Sequence, residues 1–298
     1  MPSVSSLEQA AAALRAASAE GRKVRIGTDL DAAGMSHVLE HESGDLTCTV
    51  EAGIRLSALA AALAPSSQRL SLDPPGDPTI GACLAGSLSG PLRHRFGAPR
   101  DLVLGVTLVL ADGTIVNAGG KVVKNVAGYD LGKLVCGSQG RLAFIGRISL
   151  RLHPAPAATA TVVVESADTA SVVAGLLGSQ LVPSALDVLH PGRVAVLYEG
   201  GAAAVAAQVE STKTLVGGAE VDASVWRESR ERQAASRGRS SFAPGELRAF
   251  LADLPAAVIR PAAGVAYLPT PTRDETPDPV LLLQERVRER FDPKAVLA

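Results

Sequence analysis

Aromatic residues and net charge are both scarce in this chain. Aromatic residues make up 3% of the 298 residues, too few for the base-stacking platforms of proteins that bind single-stranded nucleic acid. The 29 basic and 30 acidic residues leave a formal net charge of -1. No overall positive field therefore attracts nucleic acid or an acidic membrane. We expect no nucleic-acid partner, and instead a small molecule or another protein.

Cysteine pairs and long apolar runs are also missing. Cys48, Cys83 and Cys136 lie far apart, without CxxC or Cys/His spacing, so the pattern predicts neither a zinc site nor an iron–sulfur cluster, and the metal content is expected to be none. The N-terminus lacks the basic start and apolar core of a signal peptide, and no run of about 18 apolar residues occurs. These absences predict a cytoplasmic chain, membrane-associated only through partner subunits.

What is present predicts an α+β fold in two parts. Ser5 and Glu8 have capping-box spacing before a helical apolar period, which predicts a helix over 6–20. Strands are expected over 23–26 and 46–50, a helix over 55–63 and a hairpin over 102–117, turning at Asp112 and Gly113. His153 to Pro156 then interrupt the pattern. From 159 to 222 the order strand, helix, strand, strand, helix, strand is ferredoxin-like.

The last quarter of the chain predicts less regular structure. The segment WRESRERQAASRGRS reads as a solvated helix followed by a loose loop, because it is almost continuously polar and charged. A helix at PGELRAFLADL, strands at AAVIRP and GVAYLP, and a final amphipathic helix at PVLLLQERVRERF are expected beyond it.

Glycine-dense segments between 73 and 152 carry the clearest functional signal. In TIGACLAGSLSG, residues 79–90, small residues leave the backbone open along one edge. Such a segment predicts either a phosphate cradle or a tight packing seam, and composition does not separate the two. It is not the GxGxxG fingerprint of a Rossmann fold. Any dinucleotide bound here is therefore held by another fold.

Taken together, several segments resemble a known family. TIGACLAGSLSGP, RFGAPRDLVLGVTLVLADGTIVNAGGKVVKNVAGYDLGKLVCGSQGRL and FDPKAVL are similar to the FAD-binding subunits of bacterial glycolate oxidases, within the vanillyl-alcohol-oxidase-type (PCMH) flavoprotein superfamily. The resemblance implies a PCMH-type FAD-binding domain of two α+β subdomains over 1–153. It also implies a cap domain over 154–298, with a ferredoxin-like core and a C-terminal helix.

The same resemblance implies a cofactor site. FAD is expected to bind noncovalently, since no histidine lies in the expected first glycine loop and the cysteines read as packed small residues. The implied cofactor contacts, mainly through the main chain, are Pro75, Thr79, Ile80, Gly81, Ala82, Ser89, Gly90, Asp130, Gly137, Ser138, Gly140 and Ile145.

Two positions depart from the family pattern. The first loop reads IGTDLDAAG, so Asp29 and Asp31 stand where a diphosphate is expected, and carboxylates there repel it unless they point away or contact ribose hydroxyls. Further along, Phe144 stands where flavin atoms would need space, and Arg141 could pair with the diphosphate.

Function is therefore expected to be that of an FAD-dependent oxidoreductase subunit acting on a small 2-hydroxy acid. The resemblance implies two partners, a larger FAD-containing catalytic subunit and an iron–sulfur subunit. No catalytic base stands out. His94 is a candidate, with a solvated or subunit-facing loop as the alternative. The alternative functions are a flavin-free structural or assembly subunit and a stand-alone flavin-dependent alcohol or hydroxy-acid dehydrogenase.

Overall fold

The structure is a computed structural model that describes residues 3–120, 130–252, 254–272 and 276–298. The motif KVVKNVAGY, residues 121–129, therefore lies outside the described residues. None of the described helices is both long and apolar enough to cross a membrane.

The described chain contains strands in two main sheets and one small sheet. The strands are β1 (Val38–Glu42), β2 (Thr47–Glu51), β3 (Gln68–Arg69), β4 (Val103–Val109), β5 (Ile115–Gly119), β6 (Phe144–Arg151), β7 (His153–Pro154), β8 (Ala158–Glu165), β9 (Ala185–His190), β10 (Arg193–Gly200), β11 (Ala219–Val221), β12 (Gly238–Ser241), β13 (Ala257–Arg260) and β14 (Val265–Leu268). The helices are α1 (Leu7–Glu20), α2 (Leu56–Leu63), α3 (Ile80–Ala85), α4 (Arg93–Phe96), α5 (Pro99–Leu102), α6 (Leu131–Val135), α7 (Thr169–Leu177), α8 (Ala202–Val216), α9 (Ser224–Ala234), α10 (Leu247–Ala252) and α11 (Asp278–Phe291).

The first sheet has the antiparallel order β1-β2-β6-β4-β5. One core contains β2 and β4 residues such as Val50 and Leu108 together with α2, α3 and α5. A second core packs α1 against Val109 and Phe144. The predicted hairpin is confirmed as β4 and β5. The predicted strand over 23–26 forms only isolated bridges, Val24 with Leu297 and Ile26 with Leu30.

Helix α1 confirms the predicted element but begins one residue later than expected. Ser6, not Ser5, is the N-cap, and its hydroxyl accepts the Gln9 amide at 3.2 Å. The apolar residues Leu7, Ala10, Ala11, Leu14 and Ala17 are buried at helical spacing. Gly21 ends the helix with a left-handed φ of 64°, a conformation that glycine adopts without steric cost.

The second sheet confirms the ferredoxin-like prediction. Its order β11-β8-β10-β9-β13-β14-β12 begins with the four strands of the βαββαβ unit, while α7 and α8 pack on its face. Strands β13 and β14, both predicted, extend the sheet. The segment expected to be a solvated helix and loose loop instead contributes α9, with Trp226 only 5% exposed, and edge strand β12. The Trp226 indole donates to the Thr161 hydroxyl at 2.9 Å, which draws α9 onto the sheet.

A part-buried ion pair joins the small sheet to the second sheet. Arg69 on β3 makes a bidentate pair with Glu199 on β10, at 2.7 and 2.6 Å. At the other end of the chain, Val296 and Leu297 pack beside Val24 in the core that contains α1. A division into domains at 153 and 154 stays a prediction.

Candidate functional site: a cleft of small residues

A cleft of about 510 Å³ opens beside the first sheet, within the range of cofactor and ligand sites. Four segments form it: the first loop, the turn after β2, helix α3, and the chain that leads into β6. Its lining residues are Ile26, Gly27, Asp31, Ala32, Ala33, Ala52, Gly53, Thr79, Gly81, Ala82, Ala85, Gly86, Gln139, Gly140, Ala143, Phe144 and Ile145.

Close backbone approach explains the glycines that line the cleft. A Cβ at Gly53 would lie 1.8 Å from the Ala32 carbonyl oxygen, and one at Gly81 would lie 2.9 Å from the Ala52 oxygen. Gly140 has a φ of +77°, and its Cβ would lie 2.8 Å from the Ile26 Cβ. Only glycine permits these approaches. These glycines let neighbouring backbone segments pack closely against one another. The segments that they bring together form the wall of the cleft.

Helix α3 uses its first amides within the protein. The Ile80 amide donates to the Ile54 carbonyl at 2.9 Å, and the Gly81 amide donates to the Ala52 carbonyl at 2.7 Å. The Ala82 amide donates to the hydroxyl of the N-cap Thr79 at 3.2 Å. The Ile80 and Gly81 amides hold α3 against the turn after β2, and the Ala82 amide is capped within the helix. They are engaged before any phosphate arrives.

The first loop uses its own carboxylates as acceptors. Asp29 accepts the Arg25 amide at 2.9 Å, and this bond lowers the pKa of Asp29. Asp31 accepts the Ala33 amide at 2.8 Å. Asp31 lines the cleft, whereas Asp29 does not. Carboxylates thus occupy amides that an anion would otherwise use.

The third segment turns sharply before β6. Gln139 and Gly140 both have positive φ, 55° and 77°, and the Gln139 amide donates to the Ala85 carbonyl at 2.9 Å. Just before them, the Ser138 hydroxyl is buried without a hydrogen-bond partner among the described residues. Phe144 is 1% exposed, belongs to the core with α1 and forms the cleft floor. Its ring therefore fills core space rather than the cleft opening.

The sequence-predicted contact residues divide into two groups. Five of them line the cleft: Thr79, Gly81, Ala82, Gly140 and Ile145. The others lie outside the lining: Pro75, Ile80, Ser89, Gly90, Asp130, Gly137 and Ser138. Ile80 is buried in the core. Asp130 caps α6 by accepting the Lys133 amide at 3.0 Å.

Cleft residues that were not among the predicted contacts come from all four segments. They are Ile26, Gly27 and Asp31 to Ala33 in the first loop, Ala52 and Gly53 after β2, Ala85 and Gly86 at the end of α3, and Gln139, Ala143 and Phe144 in the chain that leads into β6. The strand–glycine–helix pattern of the segment TVEAGIRL could have indicated the cleft residues after β2. Gly53 sits at the point of that pattern where the first loop crosses closest.

Other predicted chemistry is absent from the cleft. Burial lowers the pKa of His94, which favours a neutral ring, and His94 is not a lining residue. Burial raises the pKa of Cys48, Cys83 and Cys136 to about 12 each, so their thiols are poor nucleophiles at neutral pH. Within the part of the chain that the structure describes, no group of three or more His, Cys, Asp or Glu could hold a metal ion.

The small residues of the cleft suit the ring system of FAD, whereas the negative charge of Asp31 opposes its diphosphate. Small residues leave flat walls for a ring system, and the unpartnered Ser138 hydroxyl lies next to the wall residue Gln139. Against this, Asp31 is the one ionisable group among the described residues of the lining. A carboxylate about 4 Å from a phosphate charge costs about 1 to 4 kcal/mol, depending on the local dielectric.

Comparisons with known proteins agree with this site. Residues 17–119 match a family model described as an FAD binding domain, which includes three of the four cleft segments. Glycolate oxidase subunit GlcE of Escherichia coli is 33% identical over 218 residues, covering 72% of this chain and 61% of that protein. Glycolate oxidase subunit GlcD of Bacillus subtilis is 31% identical over 177 residues, covering 55% and 36%.

More distant relatives extend the same pattern. The mitochondrial D-lactate dehydrogenase [cytochrome] 1 of Saccharomyces cerevisiae is 36% identical over 135 residues, covering 45% of this chain and 23% of that protein. The chain thus spans less than two thirds of the length of these curated relatives. A solved structure of alkyldihydroxyacetonephosphate synthase shares the fold with a TM-score of 0.74 at 16% identity, covering 98% of this chain and 74% of that one. Residues 17–119 thus match an FAD binding domain, and the chain is similar to glycolate oxidase subunits over much of its length and shares its fold with alkyldihydroxyacetonephosphate synthase.

Proposed function

We propose that this chain is the FAD-binding subunit of a glycolate-oxidase-like complex, in which it carries electrons from the oxidation of a 2-hydroxy acid. The observation that carries the proposal is the cleft, because three of the four segments that form it lie within the FAD-binding family match. The named activities of the relatives, glycolate oxidase and D-lactate dehydrogenase, both concern 2-hydroxy acids. They support this substrate class.

Noncovalent binding follows from the chemistry of the lining. When bound, FAD supplies a two-electron acceptor for a hydride equivalent. The walls at Ala82, Gly86 and Gly140 would contact it through backbone and methyl groups. The described part of the lining contains neither cysteine nor histidine, so none of its side chains offers a covalent link. The residues of this chain thus hold the cofactor and exclude water from one face of it.

The partners in this proposal are a larger FAD-containing subunit and an iron–sulfur subunit. Among the residues that the structure describes, the lining offers no arginine, lysine or histidine for a substrate carboxylate. Such a lining suits an electron-carrying role, with substrate bound on the larger subunit.

A second candidate function is a flavin-free structural subunit. The hydrogen bonds of Asp29 and Asp31 to the amides of the first loop favour it, since these carboxylates occupy donors that a diphosphate needs. The two candidates predict different flavin contents for the same fold.

The experiment purifies the chain after expression with FAD supplied, and records flavin absorbance and fluorescence. Glycolate-dependent reduction of a dye is then measured with the chain alone and after mixing with a larger flavoprotein subunit and an iron–sulfur subunit. The proposal expects bound flavin that is released intact by denaturation, with activity only in the mixture. A folded chain without flavin supports the structural candidate. Activity of the chain alone supports a stand-alone dehydrogenase.

A further inference from the structure

A buried polar cluster lies between the two sheets, outside the cleft. Arg260, at the end of β13, is 1% exposed, and Asp187 on β9 is fully buried. The Arg260 Nε lies 3.6 Å from Asp187 Oδ1, and the Ser229 hydroxyl of α9 donates to Asp187 Oδ2 at 2.5 Å. The proposed function gives this cluster no role.

The cluster reaches across to the first part of the chain at a single carbonyl. Gln233 on α9 donates its side-chain amide to the Ser89 carbonyl at 2.9 Å, and Arg260 Nη1 lies 3.4 Å from the same oxygen. Arg260 Nη2 donates to Gln233 Oε1 at 2.6 Å. This last bond orients the Gln233 amide, because its oxygen faces Arg260 and its nitrogen must then face Ser89.

Ser89 belongs to the segment that continues from the cleft wall. Gly86 lines the cleft, and Ser89 follows three residues later. Apolar packing does not fix this segment, since Leu88 is 37% exposed. Its far end is fixed instead at Gly90, where a Cβ would lie 1.8 Å from the Asp73 carbonyl oxygen. Polar contacts and close backbone approach therefore set the path of 86–90.

We propose that Gln233 and Arg260 are positioning residues for the cofactor cleft, holding the 86–90 segment through the Ser89 carbonyl. Residues carried by the second sheet and by α9 then help to position one wall of the cofactor site. This inference rests on the proposed FAD binding. Burying an ion pair adds little to stability compared with apolar packing, whereas it fixes one arrangement of the groups it contacts. The cluster supplies that fixed arrangement to the cleft wall.

The test compares two variants at Gln233 with a control elsewhere in the second sheet. Gln233→Ala removes both of its side-chain bonds. Gln233→Glu keeps an acceptor for Arg260 but has no donor for Ser89. The control, Thr161→Val, removes the acceptor of the Trp226 indole, which lowers stability without touching Ser89. Melting temperature, amide hydrogen exchange over 86–90 in the flavin-free chain, and the dissociation constant for FAD are measured for each.

In both Gln233 variants, the amide hydrogens of 86–90 are expected to exchange about twofold to tenfold faster than in the wild type. The dissociation constant for FAD is expected to rise by a similar factor. Thr161→Val is expected to change neither, although it melts earlier. If the amide hydrogens of 86–90 exchange in both Gln233 variants as slowly as in the wild type, the inference is overturned, even if FAD binds. If exchange rises but the wild-type chain binds no FAD, the proposed function fails, and the role of the cluster in cofactor binding fails with it.

Discussion

Among single residues, Asp31 is the one whose charge is expected to repel the FAD diphosphate. It places a carboxylate among described lining residues that are otherwise neutral, and one of its oxygens already accepts the Ala33 amide at 2.8 Å. A neutral amide at this position can keep that bond, since its oxygen also accepts. The charge can therefore be removed without removing the turn.

We predict that Asp31→Asn tightens FAD binding by at least about fivefold, because it removes a repulsion of about 1 kcal/mol or more. Riboflavin, which lacks the diphosphate, should bind the variant and the wild type equally. The measurement is a fluorescence titration with each ligand. Asp222→Asn, outside the cleft, is the control and should change neither affinity. Weaker FAD binding in Asp31→Asn would instead show that the carboxylate contacts ribose or ribityl hydroxyls.

Asp73 should give the stability of the fold an unusual pH dependence. Burial raises the pKa of Asp73 to about 7, although Arg260 and Arg230 oppose the rise. Between about pH 4 and pH 7 the folded chain then holds a proton that the unfolded chain releases. The contribution of Asp73 to the free energy of unfolding is therefore largest at low pH, and it falls as the pH rises towards 7.

We predict that Asp73→Asn loses this slope. Relative to wild type, the variant should gain roughly 1 to 4 kcal/mol in free energy of unfolding between about pH 4 and pH 8. Urea denaturation at several pH values measures it. Asp77 is the matched control: its bonds to Ser57 lower its pKa, so Asp77→Asn should show the opposite sign. A flat difference between wild type and Asp73→Asn would contradict the prediction.

Sequence could locate the cofactor segments but not the role of each glycine. The pattern left Gly81 open between a phosphate cradle and a packing seam. The structure favours the seam, because the missing side chain faces Ala52 at 2.9 Å. Gly53 was not among the predicted contacts, since its closest neighbour, the Ala32 carbonyl, lies 21 residues earlier in the chain. Distances across the fold decide such roles, and local spacing does not contain them.

At the scale of elements, α1 and α11 form a matched pair. Both are 14-residue helices. Leu14 of α1 is fully buried, whereas Leu282 of α11 is 66% exposed. The apolar period of α1 predicted both its existence and its packing. The sequence of α11 predicted the helix but not its exposure, because a run of four apolar residues covers all sides of a helix.

We predict that Leu14→Ala lowers the free energy of unfolding by about 2 to 5 kcal/mol, since it leaves a cavity in a closed core. Leu282→Ala should change it by less than about 0.5 kcal/mol. Chemical denaturation of both variants measures the difference. Equal losses would show that α11 is covered in the protein in solution.

Some elements could not be predicted because the sheet, and not the local sequence, forms them. Strand β12 has the sequence GRSS, with no apolar alternation. It is a strand because it pairs along β14, with Arg239 opposite Tyr267. Helix α9 looked solvated because most of its residues are polar, yet Trp226 and Ser229 anchor it to the second sheet.

At the scale of the molecule, charged contacts join the two sheets. Arg69 and Glu199 are 130 residues apart in sequence and pair in a bidentate geometry. Arg230 lies 3.7 Å from Asp73 across the same junction. Periodicity predicted several strands of the first sheet and the ferredoxin-like order of the second, which is the clearest success. No periodicity relates one sheet to the other, so the junction was not predictable.

The central claim is that the cleft of the whole chain holds FAD. Ala82 lines that cleft and is exposed, so a leucine there would block it without disturbing the core. Ala61 on α2 is equally exposed but lies outside the lining, and Ala61→Leu is the control.

The decisive measurement is therefore a calorimetric titration of FAD into the flavin-free full-length chain and these two variants. We predict saturable binding of about one FAD per chain for wild type and Ala61→Leu, and a dissociation constant at least about tenfold higher for Ala82→Leu, equivalent to about 1.4 kcal/mol. Binding of FAD in this cleft is contradicted if the wild type shows no binding, or if Ala82→Leu binds FAD as tightly as the wild type does.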